Sequence, residues 1–218
     1  TPMREALRRS LNLVTARVVS EDVPPERVIE YARNLGLTTR LDPVNAIALG
    51  SSGVIPIEII GAFGVFANKG VLVEPSYVLR VEDKYGNILE KNQIKSKGVL
   101  KEETAYIMTS LLQTVASRGT GASARSIYDF KRPAGGKTGT TNDFTDAWYV
   151  TFTPQMVAGV WVGLDDPSLS LGDKQSGARA ALPLTAKFIK AAHDTLQLPV
   201  MNFEKPDGVI ELDICMDT

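Results

Sequence analysis

Apolar residues along the first third of the chain recur at helical spacing. Leu7, Leu11, Val14 and Val18 follow a Thr1-Pro2 start signal, which predicts helix from Pro2 to about Val19. Ser10-Leu11-Asn12 interrupts its polar face, and the alternative reading of those short polar side chains is a joint between two helices. Pro24-Pro25-Glu26 opens a second helix with Val28, Tyr31, Ala32 and Leu35 on one face and Gly36 as its cap. Leu41 to Gly53 reads as an irregular connection, and Pro56 to Asn68 as a third helix in which Gly61 and Gly64 invite a close neighbour.

The period then changes from helix to strand. Leu72 to Glu82 and Ile88 to Lys91 read as two strands joined by a hairpin turn at Lys84-Tyr85-Gly86-Asn87. Lys101 to Ser117 places Ala105, Met108, Leu111, Leu112 and Val115 three and four apart, the clearest helical stripe in the chain. Gly119-Thr120-Gly121 opens a loop that leads to a strand carrying Lys137. Alternation of Trp148, Val150 and Phe152, and of Val157, Gly159, Trp161 and Gly163, predicts two more antiparallel strands turning at Thr153-Pro154-Gln155. Ser168 to Arg179 reads as a polar surface loop. Leu182 to Leu196 reads as a helix with Leu184, Phe188, Ala191 and Ala192 apolar, and Val209 to Ile214 as a short strand in a tail. Helices before and after a run of strands predict an α+β fold with an antiparallel β-sheet flanked by helices. Residues 1–198 form its body and 199–218 the carboxy-terminal tail.

Composition narrows the picture by exclusion. With 218 residues, 44% of them hydrophobic, the chain is globular and builds a sizeable core. Its 24 basic and 25 acidic residues nearly cancel, which argues against bulk attraction to nucleic acid or an anionic membrane. The lone cysteine, Cys215, has no internal disulfide partner and reads as inert. No apolar run approaches the roughly 20 residues that span a bilayer.

Chemistry concentrates at Lys137-Thr138-Gly139-Thr140. An extended backbone there places an ammonium and two hydroxyls on one rim, a receptor for a carboxylate. Gly135-Gly136-Lys137-Thr138 is not a phosphate-binding loop, because that pattern needs glycine at position 131, which holds Lys131, and a helix after the lysine. The sole histidine, His193, reads as a surface residue of an ordinary helix, and no G-x-S-x-G elbow accompanies it. Clustered metal ligands are absent and no cofactor is expected. Trp148 and Trp161 read as core residues, Asp143 and Asp146 as turn residues.

Two motifs together are more telling than either alone. Ser10-Leu11-Asn12 matches S-x-N, and Lys137-Thr138-Gly139 matches K-T-G, the second and third signatures of the penicillin-binding protein and serine β-lactamase superfamily. Their order and separation, with Leu49-Gly50-Ser51-Ser52, Phe66-Ala67-Asn68 and Gly119-Thr120-Gly121 between them, resemble the transpeptidase domain of a class A penicillin-binding protein over almost the whole chain. Thr140-Thr141-Asn142-Asp143, Asp146-Ala147-Trp148 and Val160-Trp161-Val162-Gly163 resemble the class A type in particular. The family's first motif, S-x-x-K, is missing, since no serine of the chain has lysine three residues later. The resemblance therefore implies the carboxy-terminal portion of such a domain, incomplete at its amino-terminal side, with the nucleophile on an upstream segment or chain.

That resemblance implies a D,D-transpeptidase that cross-links peptidoglycan stem peptides through a serine acyl-enzyme and binds β-lactam antibiotics. Lys137 would hold charge beside Ser10, and Ser10 would pass a proton to the departing amine. Thr138 and Thr140 would bind the terminal carboxylate, Gly139 would admit the substrate backbone, the Thr140 N–H would form half of an oxyanion hole, and Asn12 would hydrogen-bond the acyl-side amide and orient the lysine of the first motif. The implied location is the outer face of the cytoplasmic membrane, with the anchor outside this chain. A non-catalytic peptidoglycan- or partner-binding module and a carboxypeptidase or β-lactamase are the rival readings.

Overall fold

Three antiparallel strands hold the centre of the molecule: β5 (Gly135–Thr140), β6 (Asp146–Phe152) and β7 (Val157–Gly163), in that spatial order. The register pairs Lys137 with Val150 and Val150 with Gly159, so side chains alternate between two faces. The computed structural model describes residues 1–212. On one face, helix α4 (Pro56–Ala67) lies against the sheet, and a Cβ on Gly159 would come within 2.6 Å of the Ile60 side chain. On the other, α7 (Leu182–Thr195) covers Tyr149, with Ala124, Leu182 and Ala186 buried beside it and Ile189 packed on Phe130 and Ala158. The expected α+β architecture of helices flanking an antiparallel sheet is the one observed.

The predicted first helix is two helices. α1 (Met3–Arg9) stops at Ser10, and α2 (Asn12–Arg17) starts two residues later and runs into a π-helical turn, Val18–Asp22. Ser10 adopts φ 54°, ψ 51°, its N–H bonds Leu7 O, and the Leu11 N–H bonds Ala6 O. That pair of bonds is a Schellman cap, a geometry that favours glycine at the position serine occupies here. α3 (Pro25–Asn34) follows, and a 3-10 turn, Asn45–Leu49, lies within the irregular connection.

The long predicted strand at Leu72 to Glu82 is also divided. β1 (Val71–Val73) pairs with β4 (Ser96–Gly98), while β2 (Arg80–Glu82) pairs with β3 (Ile88–Lys91) across the expected turn. Pro75, which has no N–H to give a ladder, lies in the break between β1 and β2. The clearest predicted helix is present as α5 (Glu102–Arg118), followed by the short α6 (Ser123–Ser126).

Helix α7 presents a different face from the one its sequence suggests. Leu184 and Phe188 are exposed at 54% and 61%, whereas Leu182, Thr185, Ala186, Ile189 and His193 are buried. His193 is thus a core residue: Nδ1 donates to the Ile189 carbonyl at 2.8 Å, and Nε2 lies 3.1 Å from Thr153 Oγ1. Trp161 is 41% exposed and so is not core; its indole N–H donates to Asp146 Oδ1 at 2.8 Å. Asp146 opens β6 instead of sitting in the turn. Residues 209–212 are not strand, and the remainder of that predicted strand, with Cys215, lies outside the described residues.

Candidate active site

Ser10 and Lys137 are 127 residues apart in sequence and touch in space. The Lys137 ammonium donates to Ser10 Oγ at 2.8 Å and to the Thr138 carbonyl at 2.7 Å. Two chain features aim these groups at each other. The left-handed cap at Ser10 turns the chain sharply between α1 and α2, and β5 packs beside α5 while α5 packs beside α1. A non-glycine residue at positive φ is strained, here by roughly 1–2 kcal/mol. The strain sits on the residue whose hydroxyl meets the lysine.

Lys137 is half-buried, and loss of hydration pulls its pKa down from 10.5 to about 8. It remains mostly protonated at neutral pH while standing close enough to neutrality to exchange a proton. Because Lys137 donates to Ser10 Oγ, the Ser10 O–H is left to donate onward. The geometry of the pair suits it to hand a proton from the lysine to the serine hydroxyl and onward.

Among the described residues β5 is an edge strand, paired only with β6. Thr141 N–H bonds Asp146 O, so by the alternation of an antiparallel ladder Gly139 and Lys137 pair with β6 while Thr138 and Thr140 turn their N–H and C=O outward. The Thr138 carbonyl on that open edge is the one Lys137 caps. The Thr140 N–H points the same way, as a donor for an oxygen beyond the strand. The Thr140 hydroxyl accepts the Gly177 N–H at 2.9 Å and keeps its own proton to give. Gly139 faces Trp148, where a Cβ would lie 3.1 Å from the tryptophan Cβ, so this glycine also relieves a tight cross-strand pair.

Of the sequence-predicted residues, Ser10, Lys137 and Thr138 converge directly. Gly139 and Thr140 continue along the same edge, and Asn12 opens α2 with an exposed side chain, two residues beyond Ser10. Two contributors have no role in the sequence motifs. Thr120, in the loop after α5, places its hydroxyl 2.8 Å from that of Thr138. Gly177, within the predicted polar surface loop, is buried against β5, and a Cβ there would lie 2.3 Å from Trp148 O and 2.4 Å from Gly139 O. Their only sequence signals are Gly119-Thr120-Gly121 behind a helix stop and a glycine in a Ser-Gly-Ala run. Among the described residues no cluster of His, Cys, Asp and Glu is suited to hold a metal, and no helix is long and apolar enough to cross a membrane.

Comparisons with known proteins bear on the family of the chain. The family model described as "Penicillin binding protein transpeptidase domain" matches residues 1–189. Penicillin-binding protein 1A of Aquifex aeolicus is 37% identical over 212 residues, covering 97% of this chain and 28% of the relative. Its counterpart from Pseudomonas aeruginosa is 32% identical, covering 98% of this chain and 31% of the relative. The crystal structure of penicillin-binding protein 1A from Haemophilus influenzae superposes with a TM-score of 0.91 at 25% identity, over 99% of this chain and 37% of that one. The chain thus spans between 28% and 37% of the length of these three relatives. With a transpeptidase model over nearly its full length and two such relatives above 30% identity, the chain belongs to the penicillin-binding protein transpeptidase domain family.

Proposed function

We propose that this chain is the part of a D,D-transpeptidase domain that binds the end of a peptidoglycan stem peptide and handles the leaving-group proton. The reading rests above all on the Lys137–Ser10 contact at 2.8 Å, made across 127 residues between the two family motifs. The nucleophilic serine and its lysine base belong to an S-x-x-K segment outside these 218 residues. That serine attacks the carbonyl between the two terminal D-alanines, a C–O bond forms, and the C–N bond to the last D-alanine breaks. Ser10 delivers a proton to the departing amine and is re-protonated from Lys137. The amine of a neighbouring stem peptide then attacks the acyl-enzyme: a C–N bond forms, the ester C–O bond breaks, the amine's proton passes through Ser10 back to Lys137, and the lysine base returns the serine its proton, which completes the cross-link.

The β5 edge supports this assignment in two ways. Thr138 and Thr140 hydroxyls, with the Lys137 charge behind them, recognise the terminal carboxylate. The Thr140 N–H serves as one oxyanion donor, in a class of interaction worth roughly 3–4 kcal/mol per donor. Asn12 orients the acyl-side amide. A β-lactam enters the same site as an acylating inhibitor, and the domain works at the outer face of the cytoplasmic membrane, anchored from elsewhere in the protein.

Labelling with a fluorescent penicillin tests the assignment. The whole protein is expected to form a covalent band on a denaturing gel and the 218-residue chain alone to form none. Lys137→Ala in the whole protein should slow acylation by about 100-fold or more, the scale of a lost proton-transfer group. A labelled band from the chain alone overturns the assignment of the nucleophile to a segment outside it, and unchanged acylation in Lys137→Ala removes Lys137 from the proton path.

A further inference from the structure

The loop Gly119-Thr120-Gly121 is wedged between the two halves of the candidate site. Gly119 abuts the end of α1, where a Cβ would lie 2.4 Å from Arg8 O. Gly121 abuts the sheet, where a Cβ would lie 3.0 Å from Tyr149 Oη and 3.2 Å from Ala116 Cα. Between them the Thr120 N–H donates to Arg8 O at 3.3 Å, and the Arg8 guanidinium returns a bond to Arg118 O at 2.9 Å. The Thr120 hydroxyl lies 2.8 Å from the Thr138 hydroxyl. These contacts close a ring: Ser10 to Arg8 along the chain, Arg8 to Thr120, Thr120 to Thr138, Thr138 to Lys137, and Lys137 back to Ser10.

Proton counting gives the Thr120–Thr138 contact a direction. A threonine hydroxyl has one proton, and a single proton lies between the two oxygens. If Thr138 supplies it, Thr138 shows only lone pairs to the open edge and repels a carboxylate. If Thr120 supplies it, the Thr138 proton is free to point outward, and accepting one bond strengthens the bond it donates. Both side chains are β-branched and half-buried, so neither is free to rotate away cheaply.

We infer that Thr120 is a positioning residue: it donates to Thr138, turns the Thr138 proton toward the substrate, and so makes the site selective for ligands that end in a carboxylate. The inference rests on the transpeptidase reading and adds a residue to it. Its effect falls on charge recognition, because a hydrogen bond to an ionised acceptor is about twice as strong as one to a neutral acceptor.

The test compares acylation of the whole protein by benzylpenicillin and by its uncharged methyl ester. Thr120→Val keeps the shape and deletes the hydroxyl; Thr120→Ala repeats the deletion without the branch; Thr120→Ser restores the donor. Both deletions are expected to lower the second-order rate with the free acid about tenfold and with the ester less than about twofold, while Thr120→Ser stays within about threefold of wild type. Equal losses on acid and ester, no loss in either deletion, or no rescue by serine overturns the inference. A wild-type protein that is not acylated at all takes the transpeptidase reading down with it, whereas normal acylation of a folded Thr120→Val protein removes Thr120 alone.

Discussion

Lys137 shows what burying a single charged residue costs. Its charged form is disfavoured in the folded state by burial, since its pKa falls from 10.5 to about 8. Between those two pH values the unfolded chain binds the proton and the folded chain does not, so folding releases a proton and stability rises with pH. Below about pH 8 both states are protonated and the full penalty applies; above about 10.5 both are neutral and it has vanished. By linkage the penalty at neutral pH is at most about 3 kcal/mol, and the hydrogen bonds to Ser10 and the Thr138 carbonyl offset part of it. Lys137→Met, similar in shape and without charge, should therefore be more stable than wild type at pH 7 by roughly 1–3 kcal/mol. The gap should close as pH is raised through 8 to 10.5. Urea unfolding of both proteins across that range measures it, and other titrating groups, such as the Tyr149 hydroxyl raised to about 12, contribute equally to both. A gap that does not change with pH would mean burial of the charge is not what Lys137 costs.

At the scale of elements, the site depends on how β5 is held. One edge is paired to β6, the other is open among the described residues, and Gly177 presses on the sheet where Gly139 meets Trp148. A methyl group at Gly177 has no room, because the atoms it would strike at 2.3 and 2.4 Å are backbone carbonyl oxygens already bound in the sheet. Gly177→Ala is expected to cost about 2–3 kcal/mol of stability by overpacking. It should also slow acylation, since relief requires the loop or the Gly139–Thr140 backbone to move; unchanged stability in thermal unfolding would contradict this. The sequence carried much of this architecture but not the contact. The periods of α5, β6 and β7 are local and strong, and Ser10-Leu11-Asn12 and Lys137-Thr138-Gly139, singled out as motifs, are two stretches that the fold brings into contact. Where the chain has two usable stripes, local pattern fails to choose. Helix α7 offers Leu184 and Phe188 on one side and Leu182, Ala186 and Ile189 on the other, and only the partner surface of Tyr149 and Phe130 decides. His193 was unreadable for the same reason, as its partners are a carbonyl four residues back and Thr153, forty residues away. Thr120 and Gly177 act through contacts with distant backbone and hydroxyls, which leave no periodic trace.

Across the whole molecule, the last described residues run over the body and close one end of the core. The Arg132 guanidinium donates to the Leu198 and Pro199 carbonyls at 2.8 Å each, fixing where the tail departs, three residues before β5 begins. Further on, the Phe203 ring meets the fully buried Phe152 edge-to-face at 5.7 Å, and Lys69 bonds Glu204 at 2.7 Å. These contacts are unequal. The Lys69–Glu204 pair is exposed and contributes little, whereas the aromatic pair shields a residue of the central sheet that also touches Phe63 and would crowd any Cβ on Gly135. Deleting residues 200–218 should therefore destabilise by about 2–4 kcal/mol, mainly through lost burial at Phe152 and Phe203, and lower the melting temperature by about 10 °C. Phe203→Ala should reproduce most of that loss and Glu204→Gln almost none. Because Phe152 pairs with Gly135 at the start of β5, the loosening reaches the strand that carries Lys137. A deletion that leaves the melting temperature unchanged would show that the tail only lies on the body and does not seal it.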